Sequence, residues 1–210
     1  MISVIIVNYH SALMTKRAVD SVLPEDEEVE VFVVDNTATV EERLQLKSLL
    51  PDGIHLIFNE TNEGFGRACN RAYSMSRGTW IFLLNPDAYI LPGTLKRLKH
   101  FLVKHPRAAA AGPMIYWDDQ KHFMLPPNYL PRPAHEFLLA HRCRIPALTH
   151  LYALRWRWWT LTVLNSASPL EQYSLSGGSV LLRKDAVESV GGLFDENFFL
   201  YYEDADLFLS

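Results

Sequence analysis

The sequence has 210 residues, a length that suits one domain or one domain carrying a sizeable insertion. Hydrophobic residues make up 49% and charged residues 21%, which excludes a disordered tail, a collagen-like fibre and a disulfide-rich miniprotein. The net charge of −4 argues against generic nucleic-acid binding.

In chain order, the first half alternates strand and helix. Ile2 to Val7 is a continuous β-branched run, the pattern of a strand buried on both faces. Ser11 is placed to cap a helix on which Met14, Ala18, Val19 and Val22 recur at helical spacing, with Pro24 ending it. Val29 to Val34 reads as a second strand, Val40 to Leu50 as a helix and Ile54 to Phe58 as a third strand. A helix over Gly64 to Ser76, a fourth strand at Trp80 to Leu84, a helix from about Gly93 to His105 and a short strand near Ala109 follow. Strands separated by helices of this length mean βαβ crossovers and a mainly parallel, Rossmann-like sheet flanked by helices.

From Pro126 to Pro169 the pattern breaks down into prolines, scattered arginines and Trp156, Trp158 and Trp159, with no steady period. Between Gln120 and Ser168 the basic residues Lys121, Arg132, Arg142, Arg144, Arg155 and Arg157 face Glu136 alone. A basic, aromatic, irregular insertion at 119–172 therefore separates a first part, 1–118, from a last part, 173–210, within one domain. Tyr173 to Leu182 is expected as a strand interrupted by Gly177-Gly178, and Asp185 to Val190 as a short helix closed by Gly191-Gly192.

Cys69 and Cys143 form neither a metal spacing nor a disulfide framework, and Cys69 reads as a packing residue. No apolar run is long enough to span a bilayer, and no basic leader precedes the first strand. The expected location is cytoplasmic.

The ends of the four early strands carry polar residues: Asn8-Tyr9, Asp35-Asn36, Asn59 to Asn62, and Asn85-Pro86-Asp87. Ligands of open parallel sheets bind at that edge, so four such ends in succession point to a ligand crevice. The crevice is not a dinucleotide site, because Asn8-Tyr9-His10-Ser11 stands where a G-x-G-x-x-G turn would be. Asp87 is the best metal candidate, since a nucleoside diphosphate is held through a hard cation that prefers carboxylate oxygens. The competing reading of Asn85-Pro86-Asp87 is a simple turn. Glu203, Asp204 and Asp206 follow the run Phe198 to Tyr202. They read either as dipole-favoured surface charges or as a base beside an apolar wall that raises its pKa.

Several segments in one order resemble family 2 glycosyltransferases of the GT-A fold, most closely their rhamnosyltransferase-like branch. They are Ser3 to Tyr9, Val33 to Asn36, Asn62 to Gly66 with Asn70, Phe82 to Ala88, Ser176 to Gly178, and Phe198 to Asp204. The resemblance implies that Val7, Asn8, Tyr9, Asp35 and Asn36 hold the base and ribose, with Asn62, Gly64, Phe65 and Asn70 lining the same pocket. It places Asn85 and Asp87 at the family's D-x-D position, with Asp87 binding Mg²⁺ or Mn²⁺ and Asn85 replacing the first acid. Gly177 and Gly178 would let the backbone approach the donor sugar, and Asp204, with Glu203 beside it, would be the catalytic base.

The implied activity is inverting transfer of a sugar, rhamnose among the candidates, from a UDP- or dTDP-linked donor to a glycan or lipid-linked acceptor in envelope polysaccharide synthesis. Members usually run further past the acidic motif, so the acceptor and catalytic part reads as truncated at Ser210. A sugar-nucleotide-binding module without turnover is one alternative. A nucleotidyltransferase is the other, and it would show a glycine-rich basic loop after the first strand. The insertion at 120–168 is a candidate peripheral contact with the inner face of the cytoplasmic membrane, through Arg144, Arg155, Arg157 and the three tryptophans.

Overall fold

The computed structural model describes residues 1–126, 146–172 and 174–209. Expectations resting on Arg132, Glu136, Arg142, Cys143, Arg144 and Tyr173 lie outside these residues. The chain divides into two compact units, one built from Met1–Pro113 with Ser176–Phe208 and one from Met114–Leu175.

The first unit is a six-stranded mixed sheet. Strands β1 (Ile2–Asn8), β2 (Val29–Asp35), β3 (His55–Phe58) and β4 (Trp80–Leu84) run parallel, while β5 (Ala110–Ala111) and β6 (Ser179–Arg183) pair antiparallel, in the order β3-β2-β1-β4-β6-β5. Strands β1, β2 and β4 are buried on both faces, as their unbroken or nearly unbroken apolar runs require, whereas β3 at the sheet edge is buried only at Ile57. Ile2, Val4 and Ile6 join Phe82, Leu84 and Leu181 under helices α1 (Ala12–Val22), α2 (Val40–Leu49) and α4 (Thr94–Lys104). Helix α3 (Phe65–Met75) packs on β1 and β2 with Ala68, Cys69 and Ala72 buried, and α6 (Lys184–Ser189) buries Val187. Cys69 is thus a core residue. Burial first, and the charge of Glu203 second, push its thiol well above the ordinary range, which leaves it inert as a nucleophile.

Four expectations need correction. The strand near the glycines starts only at Ser179, because Ser176 to Gly178 turn instead of pairing. Met14 is exposed and Thr15 takes the buried position on α1. Ser11 stands at the N-terminus of α1 but donates its hydroxyl to Asn8 Oδ1 at 3.0 Å instead of capping the helix. The largest difference lies in the second unit, where Pro146–Leu164 is a 19-residue helix, α5, within the stretch that showed no period. Apolar residues go all the way round it, so no polar stripe betrays the turn.

Away from the strand ends, Glu30 is buried and fully engaged. Its Oε1 accepts from Ser3 Oγ at 2.5 Å and from the N–H groups of Arg77 and Gly78 at 2.6 and 3.1 Å, and its Oε2 accepts from Arg77 Nε at 3.3 Å. Burial alone would raise this carboxyl, but those donors together outweigh it and hold it below the usual glutamate range.

Candidate active site

Strand order reverses between β1 and β4: β2 and β3 lie to one side of β1, and the crossover after β3 carries β4 to the other. The carboxyl ends of β1 and β4 therefore flank the crevice where such sheets bind ligands.

Beside β1 the polar residues form a closed network. Asn8 is fully buried and donates to Asp35 Oδ1 at 2.9 Å and Glu42 Oε1 at 3.0 Å, while its Oδ1 accepts from Thr15 at 2.8 Å and Ser11. Asn8 thus positions Asp35. Asp35 Oδ1 also accepts from the Thr37 N–H at 3.0 Å. Its other oxygen, Oδ2, is buried with no hydrogen-bond partner among the described residues. A buried carboxylate oxygen without a donor is costly, and a ligand N–H or O–H would relieve it. Val7 is buried in the strand, whereas Tyr9 is exposed with its ring edge-on to His10.

Asn36 fixes the neighbouring loop. It donates to Asn62 Oδ1 at 3.0 Å and to the Gly64 carbonyl at 2.9 Å, and accepts from Asn59 at 2.8 Å and the Glu63 N–H at 3.3 Å. Arg71 in turn donates to Asn59.

Gly64 (φ +84°) leads the chain beneath a later loop: a Cβ there would sit 2.2 Å from the Phe199 carbonyl oxygen, to which the Phe65 N–H donates at 3.1 Å. Asn70 clamps the same loop from both sides, donating to the Phe194 carbonyl at 2.8 Å and accepting from the Phe194 N–H at 3.1 Å. Arg67 adds a bond to the Glu196 carbonyl at 3.0 Å. Expected as a pocket-lining residue, Asn70 has its amide on the loop that delivers Glu203 and Asp204. Asn59, marked in the sequence only as part of a polar strand end, is one of these supports. Arg67 and Glu42 complete them and carried no sequence signal, being ordinary helix residues.

The apolar wall expected around the acidic residues is not there. Phe199, Leu200, Tyr201 and Tyr202 are exposed, and the two tyrosines both stand at φ +69°, a backbone region that bulky residues rarely adopt. The loop is anchored instead by buried Leu193 and Phe194 and by the clamp from α3. It runs into a short helix, α7 (Glu203–Leu207), in which Glu203 is buried and Asp204 half-buried. Burial first and the charge of Asp204 second raise the Glu203 carboxyl, and its Oε2 has no partner among the described residues.

Two glycines join this helix to the end of β4. The Gly177 N–H donates to Asp204 Oδ2 at 3.2 Å, and the Gly178 carbonyl accepts from the Asn85 N–H at 2.9 Å. A Cβ on Gly177 would lie 3.3 Å from Asp204 Cβ, and one on Gly178 2.9 Å from Asn85 Nδ2. Asn85 opens the expected turn, with the Ala88 N–H donating to its carbonyl at 3.1 Å. Its amide faces Gly178, which leaves Asp87 as the exposed carboxylate of the turn, without an ion pair among the described residues. No group of three or more His, Cys, Asp and Glu side chains that would cage a metal occurs among the described residues. One exposed carboxylate fits a hard cation whose remaining ligands are substrate phosphates and water.

The glycosyl transferase family 2 model matches residues 3–188. The chain is 29% identical to the N-acetylglucosaminyl-diphospho-decaprenol L-rhamnosyltransferase of Mycobacterium tuberculosis, over 99% of this chain and 69% of that protein. It is 31% identical to the succinoglycan biosynthesis protein ExoO of Rhizobium meliloti, over 70% of this chain and 40% of that one. In fold it is similar to a Pyrobaculum calidifontis mannosyltransferase solved with GDP-Man and Mn²⁺ (TM-score 0.66, 18% identity, 98% of this chain and 50% of that one). It is likewise similar to S. aureus TarS 1–349 solved with UDP-GlcNAc (TM-score 0.65, 19% identity, 99% and 52%). The chain thus spans about half the length of these solved chains, and they identify its architecture as the GT-A fold.

Proposed function

This chain belongs to glycosyl transferase family 2, and from that premise we propose that it transfers a sugar from a nucleotide diphosphate sugar to an acceptor hydroxyl with inversion at the anomeric carbon. The observation that carries the reading is the link Asn85–Gly178–Gly177–Asp204, which ties the candidate metal turn to a carboxylate at the switch point of the sheet.

In this reading the unpartnered Asp35 Oδ2 accepts from the nucleotide base or ribose, and the Asn62 to Phe65 loop lines the pocket. Asp87 holds Mg²⁺ or Mn²⁺, which when bound neutralises charge on the departing diphosphate. Asp204 accepts the proton of the acceptor hydroxyl as that oxygen bonds to the anomeric carbon. The bond to the diphosphate oxygen breaks with its electron pair, releasing the nucleoside diphosphate. One displacement with one base inverts the centre. The likeness to the rhamnosyltransferase supports a lipid-linked glycan as acceptor and rhamnose as one candidate sugar. In this reading the donor is UDP- or dTDP-linked and the chain works at the inner face of the cytoplasmic membrane.

Asp87→Asn tests the diphosphate end. It is expected to abolish the Mn²⁺-dependent rise in melting temperature caused by UDP or dTDP while leaving the melting temperature without nucleotide unchanged. A parent-like response to nucleotide plus Mn²⁺ would remove Asp87 from the site. Binding without release of nucleoside diphosphate from any donor and acceptor would leave a binding module in place of the transferase.

A further inference from the structure

Helix α5 carries an apolar stripe on its outer side. Leu151, Leu154, Trp158 and Leu161 recur at i, i+3, i+7 and i+10 and are 64, 51, 71 and 48% exposed. The opposite side is occupied: Trp156 and Trp159 are half-buried with ring centroids 5.2 Å apart, and Val163 and Leu164 are half-buried with them. At 100° per residue, Arg155 and Arg157 fall on the two flanks, each about 80° from the centre of the stripe. Both arginines are exposed and neither makes an ion pair among the described residues. The helix contains no acidic residue.

We propose that this face of α5 lies on an anionic lipid surface. A helix that is apolar all round is normally buried all round; here half of it is not. The stripe runs roughly 15 Å along the axis, enough to dip four side chains into the boundary between head groups and acyl chains. The central Trp158 has the shape favoured there, an apolar ring with one polar edge. Arg155 and Arg157 reach head-group phosphates on either side. No helix among the described residues is long and apolar enough to cross a membrane, so α5 rests on the surface. Charge selects lipid over a second copy of the chain. A two-fold pairing of this stripe would set Arg155 and Arg157 against their own copies, with no acid on the helix to offset them.

The test is co-sedimentation of the chain with vesicles of phosphatidylcholine alone and of phosphatidylcholine with phosphatidylglycerol, at low and high salt. Binding is expected to the mixed vesicles at low salt and to fall at high salt. Replacing Arg155→Gln and Arg157→Gln together is expected to weaken partitioning about 30-fold, at about 1 kcal/mol per basic residue near the surface. Leu154→Glu with Trp158→Glu is expected to abolish it. Lys104→Gln with Arg107→Gln, which removes the same charge from an exposed stretch of the first unit, is expected to have little effect. Circular dichroism and Mn²⁺-dependent nucleotide binding on the same variants separate this outcome from misfolding and from the proposed transfer reaction. Equal binding to both vesicle types, no binding to the anionic ones, or equal losses in the two arginine-bearing pairs would overturn the proposal. A dimer that Leu154→Glu dissociates would assign the stripe to self-association instead.

Discussion

Two buried glutamates, Glu30 and Glu203, show how differently one side-chain type is used across the first unit. Glu30 receives four donors from Ser3, Arg77 and Gly78, and its carboxyl is held below the ordinary range. Glu203 has an oxygen with no donor among the described residues, a charged neighbour in Asp204, and a carboxyl raised above the ordinary range. Burial raises both; the donors decide which way each carboxyl goes. A satisfied carboxylate ties β1, β2 and the start of β4 together. An unsatisfied one lies beside Asp204, on a loop with two left-handed tyrosines, where the proposed reaction would draw its base.

The strongest way to break that contrast is Asp204→Asn. If the α7 carboxylates perform chemistry, this change lowers the rate of sugar transfer by about 10²–10⁴-fold, the usual contribution of one general base. It leaves nucleotide binding near the parent level, because the proposed reading puts the diphosphate end at Asp87. Steady-state transfer and a nucleotide titration on the same variant read both effects. Normal transfer would move the role to Glu203 or Asp206.

Next in size is Glu30→Gln. Hydrogen bonds to charged groups are worth about 1.5–3 kcal/mol, so stability falls by about that much while nucleotide binding is retained. The sign of the pH dependence follows from the lowered carboxyl. The folded state holds this proton less readily than the unfolded chain, so the stabilisation is present above the unfolded glutamate pKa and is lost as pH falls through the folded one. Denaturant melts should therefore show parent and variant far apart at neutral pH and converging in acid.

Asn70→Ala comes third and separates pocket lining from loop positioning. Two hydrogen bonds to Phe194 are lost, about 1–3 kcal/mol together. Transfer should fall with little change in nucleotide affinity, and a large loss of nucleotide affinity would return Asn70 to the pocket.

Asn70 also shows where sequence reading stopped. The β-branched run at Ile2 to Val7 declared a buried strand because a strand covered on both faces needs no polar alternation, and the polar residues at the ends of the four early strands marked the crevice edge. The destination of each side chain was beyond reach. Asn8 and Asn70 are equally polar, yet one is sealed inside the β1 end and the other grips a loop 124 positions away. The aromatic run at Phe198 to Tyr202 was misjudged because bulky residues normally pack, whereas the Phe65 N–H bond to the Phe199 carbonyl and the Asn70 clamp on Phe194 hold the loop and leave Phe199, Tyr201 and Tyr202 outside. Helix α5 escaped notice for the opposite reason: apolar residues on both its sides erased the period that reveals a helix.

The smallest expected effect is the one that most sharpens the comparison, because its sign is opposite. Glu203 has a raised carboxyl, so the folded state holds this proton more tightly than the unfolded chain does. Its contribution to stability is complete below the unfolded glutamate pKa and is lost as pH rises through the folded value. Ionising Glu203 as pH rises means burying a charge beside Asp204, at a cost to the fold. Glu203→Gln removes that charge and keeps the shape, so the variant should be at least as stable as the parent at neutral pH, with the difference vanishing in acid. Thermal melts of Glu203→Gln and Glu30→Gln across the same pH series would then diverge from a common acid limit in opposite directions. Destabilisation of Glu203→Gln at neutral pH would mean that its carboxylate is satisfied after all, and the contrast between the two glutamates would fail.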